Sequence, residues 1–93
     1  MALARVVSFD GVGQDRVEEM KGRISEGPPD DIPAHEIVML YDAGAEKATV
    51  VLFFDNEDDY NRADETLSAM PAGETPGQRT SVGKYEVAAR ATA

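Results

Sequence analysis

Two segments of this chain resemble each other, and each has the pattern of a strand that leads into a helix. They are residues 4–10 (ARVVSFD) and residues 48–55 (ATVVLFFD). Two such strand-helix units, each followed by one more strand, give the order β-α-β-β-α-β, an α+β fold with an antiparallel sheet. A chain of 93 residues has room for little else. We therefore predict a single domain over residues 1–93.

Local signals place the six elements. We predict strands at about residues 3–9, 35–41, 47–54 and 81–89, and helices at about 14–25 and 56–70. Apolar residues recur at helical spacing in both helices: Val17, Met20 and Ile24 in the first, and Tyr60, Ala63, Leu67 and Met70 in the second. Asn56 is a good N-cap for the second helix, and Pro71 ends it. Prolines and glycines predict loops at residues 26–33 and 71–79.

The second and third strands lack a polar face. When helices cover one face of a sheet and water covers the other, apolar and polar residues alternate along each strand. Here both faces carry large apolar side chains: Ile37, Met39 and Tyr41 against Val38 and Leu40, and Val50, Leu52 and Phe54 against Val51 and Phe53. We therefore predict that two copies pack their sheets face to face as a homodimer, which adds burial to a small core.

Two runs of sequence resemble a known family. The runs FFDNEDDY at residues 53–60 and MPAGETPG at residues 70–77 are similar to segments of small bacterial members of the dimeric α/β-barrel superfamily. The resemblance spans nearly the whole chain. It implies a ferredoxin-like fold in which two chains join their sheets into one barrel. The superfamily includes cofactor-free monooxygenases, haem-degrading enzymes, isomerases and proteins without known chemistry.

Composition excludes several classes of function. The net charge of −9 opposes binding to nucleic acid or to anionic membranes, because both draw on Lys and Arg. The absence of Cys excludes disulfides and thiolate metal sites. The first residues have the pattern of a strand rather than a signal peptide, and no apolar run approaches the ~20 residues that cross a bilayer. We expect a cytoplasmic protein without a cofactor.

Two residues are candidates for catalysis. His35 is the only histidine, so a general acid-base proposal near neutral pH depends on it. Tyr60 lies on the inward stripe of the second helix, where its hydroxyl could reach a cleft. Each also has a structural interpretation, His35 as a residue at the start of a strand and Tyr60 as a core aromatic.

The candidates for ligand binding are aromatic side chains and one cation. A cleft between helices and sheet suits a small apolar or aromatic molecule, and the side chains we place there are Phe9, Tyr41, Phe54, Tyr60 and Arg79. The phenylalanines also fit simple packing. The acidic residues at 55–59 are explained by the start of a helix, so we predict no metal site.

Three interpretations of function remain open. The first is a homodimer that binds a small apolar or aromatic ligand in the cleft. The second is a structural or protein-interaction dimer without chemistry. The third is an enzyme that resembles the cofactor-free monooxygenases or isomerases.

Overall fold

The computed structural model describes residues 2–70 and 75–91. Residues 71–74, which include the proline expected to end the second helix and part of the second predicted loop, lie outside the described residues. The elements follow the order β-α-β-β-α-β: β1 (Leu3–Asp10), α1 (Gln14–Ser25), β2 (Glu36–Asp42), β3 (Lys47–Phe54), α2 (Glu57–Ser68) and β4 (Gln78–Glu86). The α+β class and the element order predicted from the sequence are confirmed.

The four strands form one antiparallel sheet in the order β2-β3-β1-β4. Both helices pack on the same face, because Val17 of α1 and Tyr60 of α2 lie in clusters with different members of one alternating set of strand residues. That set includes Leu3, Val7 and Phe9 of β1. This architecture is compatible with the ferredoxin-like arrangement.

The core under the helices consists of two clusters. The α2 cluster contains Leu3, Ile32, Leu52, Phe54, Tyr60 and Ala63. The α1 cluster contains Val7, Phe9, Val12, Val17, Ala48 and Val50. On β1 the two clusters are separated by Arg5, which lies between Leu3 and Val7 on the face toward the helices and is also buried.

Both helices begin as predicted. Gly11, with φ +67°, makes the turn between β1 and α1, a conformation that glycine adopts without steric cost. At α2, the Asn56 side chain accepts a hydrogen bond from the backbone N–H of Asp59, as an N-cap should. The α2 helix ends earlier than predicted, at Ser68, so that Met70 lies outside the helix and is 40% exposed.

The edge strands differ from the predicted bounds. β2 begins at Glu36 rather than His35, although the His35 backbone N–H still donates to the Phe53 carbonyl. β4 begins three residues early and ends at Glu86 because its ladder with β1 runs from Asp10 to Leu3 and has no further partner strand. An irregularity between Ser8 and Phe9 shifts the register of this pairing.

We call the face of the sheet away from the helices the open face. Its central row crosses all four strands and is entirely apolar: Val38, Val51, Val6 and Gly83. The row on one side contains Leu40, Thr49, Ser8 and Ser81, and the row on the other contains Glu36, Phe53, Ala4 and Tyr85. Leu40 and Tyr85 are 56% and 58% exposed. The prediction that β2 and β3 are apolar on both sides of the sheet is therefore confirmed.

Close packing at Gly77 leads to a stability prediction. A Cβ atom there would overlap the Asp10 carbonyl oxygen and would lie 2.9 Å from Val12 Cγ2. Since the backbone of β1 and the buried Val12 must both yield, we expect Gly77→Ala to lower the free energy of unfolding by about 1–3 kcal/mol. Chemical denaturation measures this loss.

Gly44→Ala is the matched control. The nearest atom to its added Cβ is Asp42 Oδ1 at 3.6 Å, an ordinary contact. We expect a change within about 0.5 kcal/mol for this surface position. If Gly77→Ala were as neutral as Gly44→Ala, Gly77 would not pack closely against Asp10 and Val12 as described.

Candidate functional site

A cavity of about 290 Å³ lies between the helices and the sheet. Members of both core clusters line it: Val7 and Val50 belong to the α1 cluster, and Leu52 and Ile32 belong to the α2 cluster. The half-buried Met20 and Ile24 of α1 and Leu67 of α2 contribute from above. The volume is at the lower end of the roughly 300–1,000 Å³ that small-molecule sites occupy.

Arg5 is the buried charge beside this cavity. Its side chain is 3% exposed, and its Nε donates to Asp64 Oδ1 of α2 at 2.9 Å. Asp64 is 43% exposed, so the ion pair joins a buried guanidinium to a carboxylate that reaches solvent. Within the described residues, Arg5 Nη2 is buried and has no hydrogen-bond partner. An unmade hydrogen bond at a buried donor costs about 1–3 kcal/mol, and more when the group is charged.

Two more arginines line the same cavity. Arg23 of α1 and Arg79 of β4 are exposed, and no carboxylate of the described residues lies within ion-pair distance of either. Asp31 is the single acidic residue among the described lining residues. The site thus brings together three of the six arginines of a chain whose net charge is −9.

The segment before β4 forms one wall of the cavity. Thr75 and the buried Pro76 line it, followed by Arg79. Arg16 of α1 donates from Nη2 to the Thr75 carbonyl at 3.1 Å, and the Thr75 hydroxyl donates to the Gly77 carbonyl at 2.7 Å. The first bond holds the segment against α1, and the second lies within the segment.

The structure brings together two of the five predicted ligand-binding residues. Phe9 and Arg79 line the cavity. Phe54 is fully buried in the α2 cluster, where its ring packs edge-on against that of Tyr60 with 5.4 Å between the ring centroids. Tyr41 is half-buried, and its hydroxyl donates to the Val12 carbonyl at 2.9 Å. These three aromatic residues serve packing and lie outside the cavity lining.

The two predicted catalytic residues are also placed away from the cavity lining. His35 precedes β2 and is 37% exposed, with Nδ1 3.0 Å from Asp55 Oδ1. Its ring lies 6.3 Å from that of Phe53, whose side chain belongs to the open face. Tyr60 is buried against the α2 cluster. Neither side chain therefore lines the cavity.

The pKa of Tyr60 is raised above its ordinary value. Burial disfavours the charged phenolate, and the nearby Asp64 carboxylate adds to the effect. The Lys84 ammonium lies 4.9 Å from the centre of the Tyr60 ring and pairs with Glu57 at 2.7 Å. This ion pair raises the pKa of Lys84 and lowers that of Glu57. Because burial and Asp64 raise its pKa further above neutrality, Tyr60 stays protonated at neutral pH.

The acidic start of α2 serves the helix. Glu57, Asp58 and Asp59 occupy the first turn, where they face the positive end of the helix dipole. Across residues 2–70 and 75–91, no three His, Asp or Glu side chains are grouped as metal ligands would be. Neither α1 nor α2 has the length and apolarity of a membrane-spanning helix.

The sequence analysis missed Arg5, the residue with the most unusual environment in the site. Met20, Ile24 and Leu67, predicted on the inward stripes of their helices, are half-buried and also line the cavity, and Leu67 packs against the α2 cluster. One signal was present in the sequence: Arg5 occupies a position of β1 that alternates in phase with Leu3, Val7 and Phe9. A charged residue on the inward stripe of a strand indicates a buried partner or a ligand.

Comparison with models of protein families, with curated proteins and with solved structures gave no match to this chain.

Proposed function

We propose that this chain is a small-molecule-binding protein that takes an apolar or aromatic ligand into the cavity between its helices and its sheet, and that it works as a homodimer. The observation that carries the proposal is the cavity of about 290 Å³ between the two core clusters. A homodimer without a ligand, with a structural or protein-interaction role, is the second candidate, and the apolar central row of the open face favours it.

The lining supports an apolar ligand. Most of its side chains are aliphatic, with Phe9 as the aromatic member, and the polar groups are few. A ligand that fills such a space gains about 0.8 kcal/mol for each methylene group removed from water. The lining spans β1, β2, β3, α1 and α2, so the site is built mainly on regular elements rather than on a single loop.

Fluorescence titration with N-phenyl-1-naphthylamine tests the binding proposal. This neutral aromatic probe becomes bright when it leaves water, and it is excited at wavelengths that Trp does not absorb, so the Trp introduced in the variants below does not interfere. Leu67→Trp replaces a lining side chain with a larger one that fills part of the cavity. We expect it to weaken probe binding by at least about tenfold, which corresponds to 1.4 kcal/mol.

Leu40→Trp is the matched control, because it makes the same change on the open face. It should leave the affinity for the probe within about twofold of the original, a difference below 0.5 kcal/mol. If the original protein did not bind the probe, or if Leu40→Trp alone weakened binding, the cavity would not be the binding site.

The open face supports the homodimer. Its central row has no polar side chain, and the one carboxylate among the three rows, Glu36, is paired with Arg90. Although the net charge of the chain is −9, these three rows would let two copies meet without bringing unpaired carboxylates together. The next row of the face holds Asp42 opposite Lys47, and Lys47 Nζ lies 3.8 Å from Asp10 Oδ1. The same patch on both copies suits a two-fold axis, on which the surface pairs with itself.

The cover of the open face within one chain is incomplete. Arg90 packs over the Phe53 ring at 4.4 Å, and the Val87 backbone N–H donates to the Ala2 carbonyl. Arg90 therefore covers Phe53, while the Val87 hydrogen bond extends the pairing of the last strand with the first. Leu40, at the other end of the face, remains 56% exposed. A second copy packed there would bury it.

A further inference from the structure

We infer that the ligand of this cavity is an amphipathic acid, an apolar body with one anionic group such as a carboxylate, and that the Arg5 guanidinium binds the acid. This inference rests on the proposed function, since it names the class of ligand for the same cavity. Its starting point is the location of Arg5, a cavity-lining residue that is only 3% exposed.

Burial makes Arg5 costly unless its donors are used. A guanidinium has five N–H donors and no acceptor, and a fully satisfied one is bound from more than one side. Asp64 binds the Nε edge alone, through one of its oxygens. Nη2 is buried without a partner among the described residues. The ion pair with Asp64 therefore balances the charge of Arg5 but leaves the Nη2 donor of the guanidinium unused beside the cavity.

The chemistry of the guanidinium selects the ligand group. Arginine pairs with oxyanions such as carboxylate and phosphate in a two-pronged geometry, and such charge-assisted hydrogen bonds are about twice as strong as neutral ones. A neutral carbonyl or hydroxyl would satisfy one donor only, through the weaker kind of hydrogen bond. A cation is excluded by Arg5 itself, because its approach would bring two like charges together in a site of low dielectric.

The surrounding charges favour an anion over the rest of the surface. Since Asp64 already balances Arg5, an incoming acid needs other positive charge nearby. Arg23 and Arg79 supply it from the exposed part of the lining, against the single Asp31 carboxylate among the described lining residues. Positive charge in a cleft with apolar walls raises the local concentration of anions even where the whole protein is acidic.

Two probes with the same aromatic skeleton test the inference. N-phenyl-1-naphthylamine is neutral, and 8-anilinonaphthalene-1-sulfonate adds one sulfonate that stays ionised at every pH of interest. We expect the unmodified protein to bind the sulfonate at least about tenfold more tightly. Leu67→Trp should weaken both probes, which places both in the cavity rather than on the open face.

Arg5→Met then removes the charge while it keeps a long apolar side chain. We expect the preference for the sulfonate, taken as the ratio of the two dissociation constants, to fall at least about fivefold, with the remainder supplied by Arg23 and Arg79. Arg62→Met is the matched control, because Arg62 is 74% exposed on α2 and does not line the cavity. It should leave the preference unchanged.

The outcomes separate this inference from the proposed function. Binding of the neutral probe in the cavity, with no preference for the sulfonate, overturns the inference and leaves the proposed function intact. Failure of both probes to bind overturns both. An undiminished preference in Arg5→Met assigns the anion to another residue and overturns the role of Arg5. If Arg5→Met does not fold, the ratio measured on the unmodified protein still decides whether an acid is preferred.

Discussion

Phe54→Ala should lower the free energy of unfolding by about 3–5 kcal/mol, the usual cost of removing a buried aromatic ring. Phe54 is fully buried, and its ring meets Tyr60 edge-on at 5.4 Å. The truncation removes apolar contact and leaves a void between β3 and α2, which surrounding side chains refill only in part. A loss of this size is a large share of the roughly 5–15 kcal/mol that holds a typical domain folded.

Urea denaturation followed by far-UV circular dichroism measures the loss. Phe54→Leu serves as the control, because it keeps most of the apolar volume and should cost less than about 1.5 kcal/mol. A loss below about 1 kcal/mol for Phe54→Ala would contradict the α2 cluster as described, since it would mean that the ring is not sealed between strand and helix.

Leu40→Asp should convert the proposed homodimer into single chains. One chain has a mass of 10.0 kDa. We expect the mass measured by light scattering after size exclusion to fall from about 20 kDa for the dimer to about 10 kDa for the variant. Leu40 lies on the open face and is 56% exposed in one chain. Because a two-fold axis repeats every substitution, two carboxylates enter the interface, each losing water without a positive partner.

Val82→Asp is the matched control for this experiment. Val82 is 45% exposed, and its pairing with Val7 places it on the helix side of β4 rather than on the open face. The same change of charge there should leave the mass at about 20 kDa. A mass of 10 kDa for the unmodified protein across the micromolar range would show that the open face does not join two copies.

Much of the fold was predictable because local signals and global topology agree. The bounds of α1 are the predicted ones, and the Asn56 cap starts α2 as expected. The edges of the sheet were less predictable, because they depend on pairing rather than on propensity. β4 stops at Glu86 since its partner β1 begins at Leu3, a length set by another part of the chain.

The site was predictable only in part. Phe9 and Arg79 line the cavity, while the aromatic character of Tyr41 and Phe54 indicated a pocket where the structure has packing. Aromatic residues are the usual filling of a small core, so residue type alone does not separate the two uses. Arg5 was missed although it is in phase with Leu3, Val7 and Phe9. The reason is that the other face of β1 also carries apolar residues, Ala4 and Val6, and the strand alone does not show which face the helices cover.

The cavity lies between the two core clusters, so a molecule bound there would fill the space between them. Both clusters contribute lining residues, so a bound molecule would touch Val7 and Leu52 at once and join the two halves into one apolar unit. Under the proposed function, the ligand then acts as a missing piece of the core. At a concentration 100 times the dissociation constant it would add about 2.7 kcal/mol to the stability of the fold. The lifetime of the chain against proteases would therefore follow the supply of its ligand.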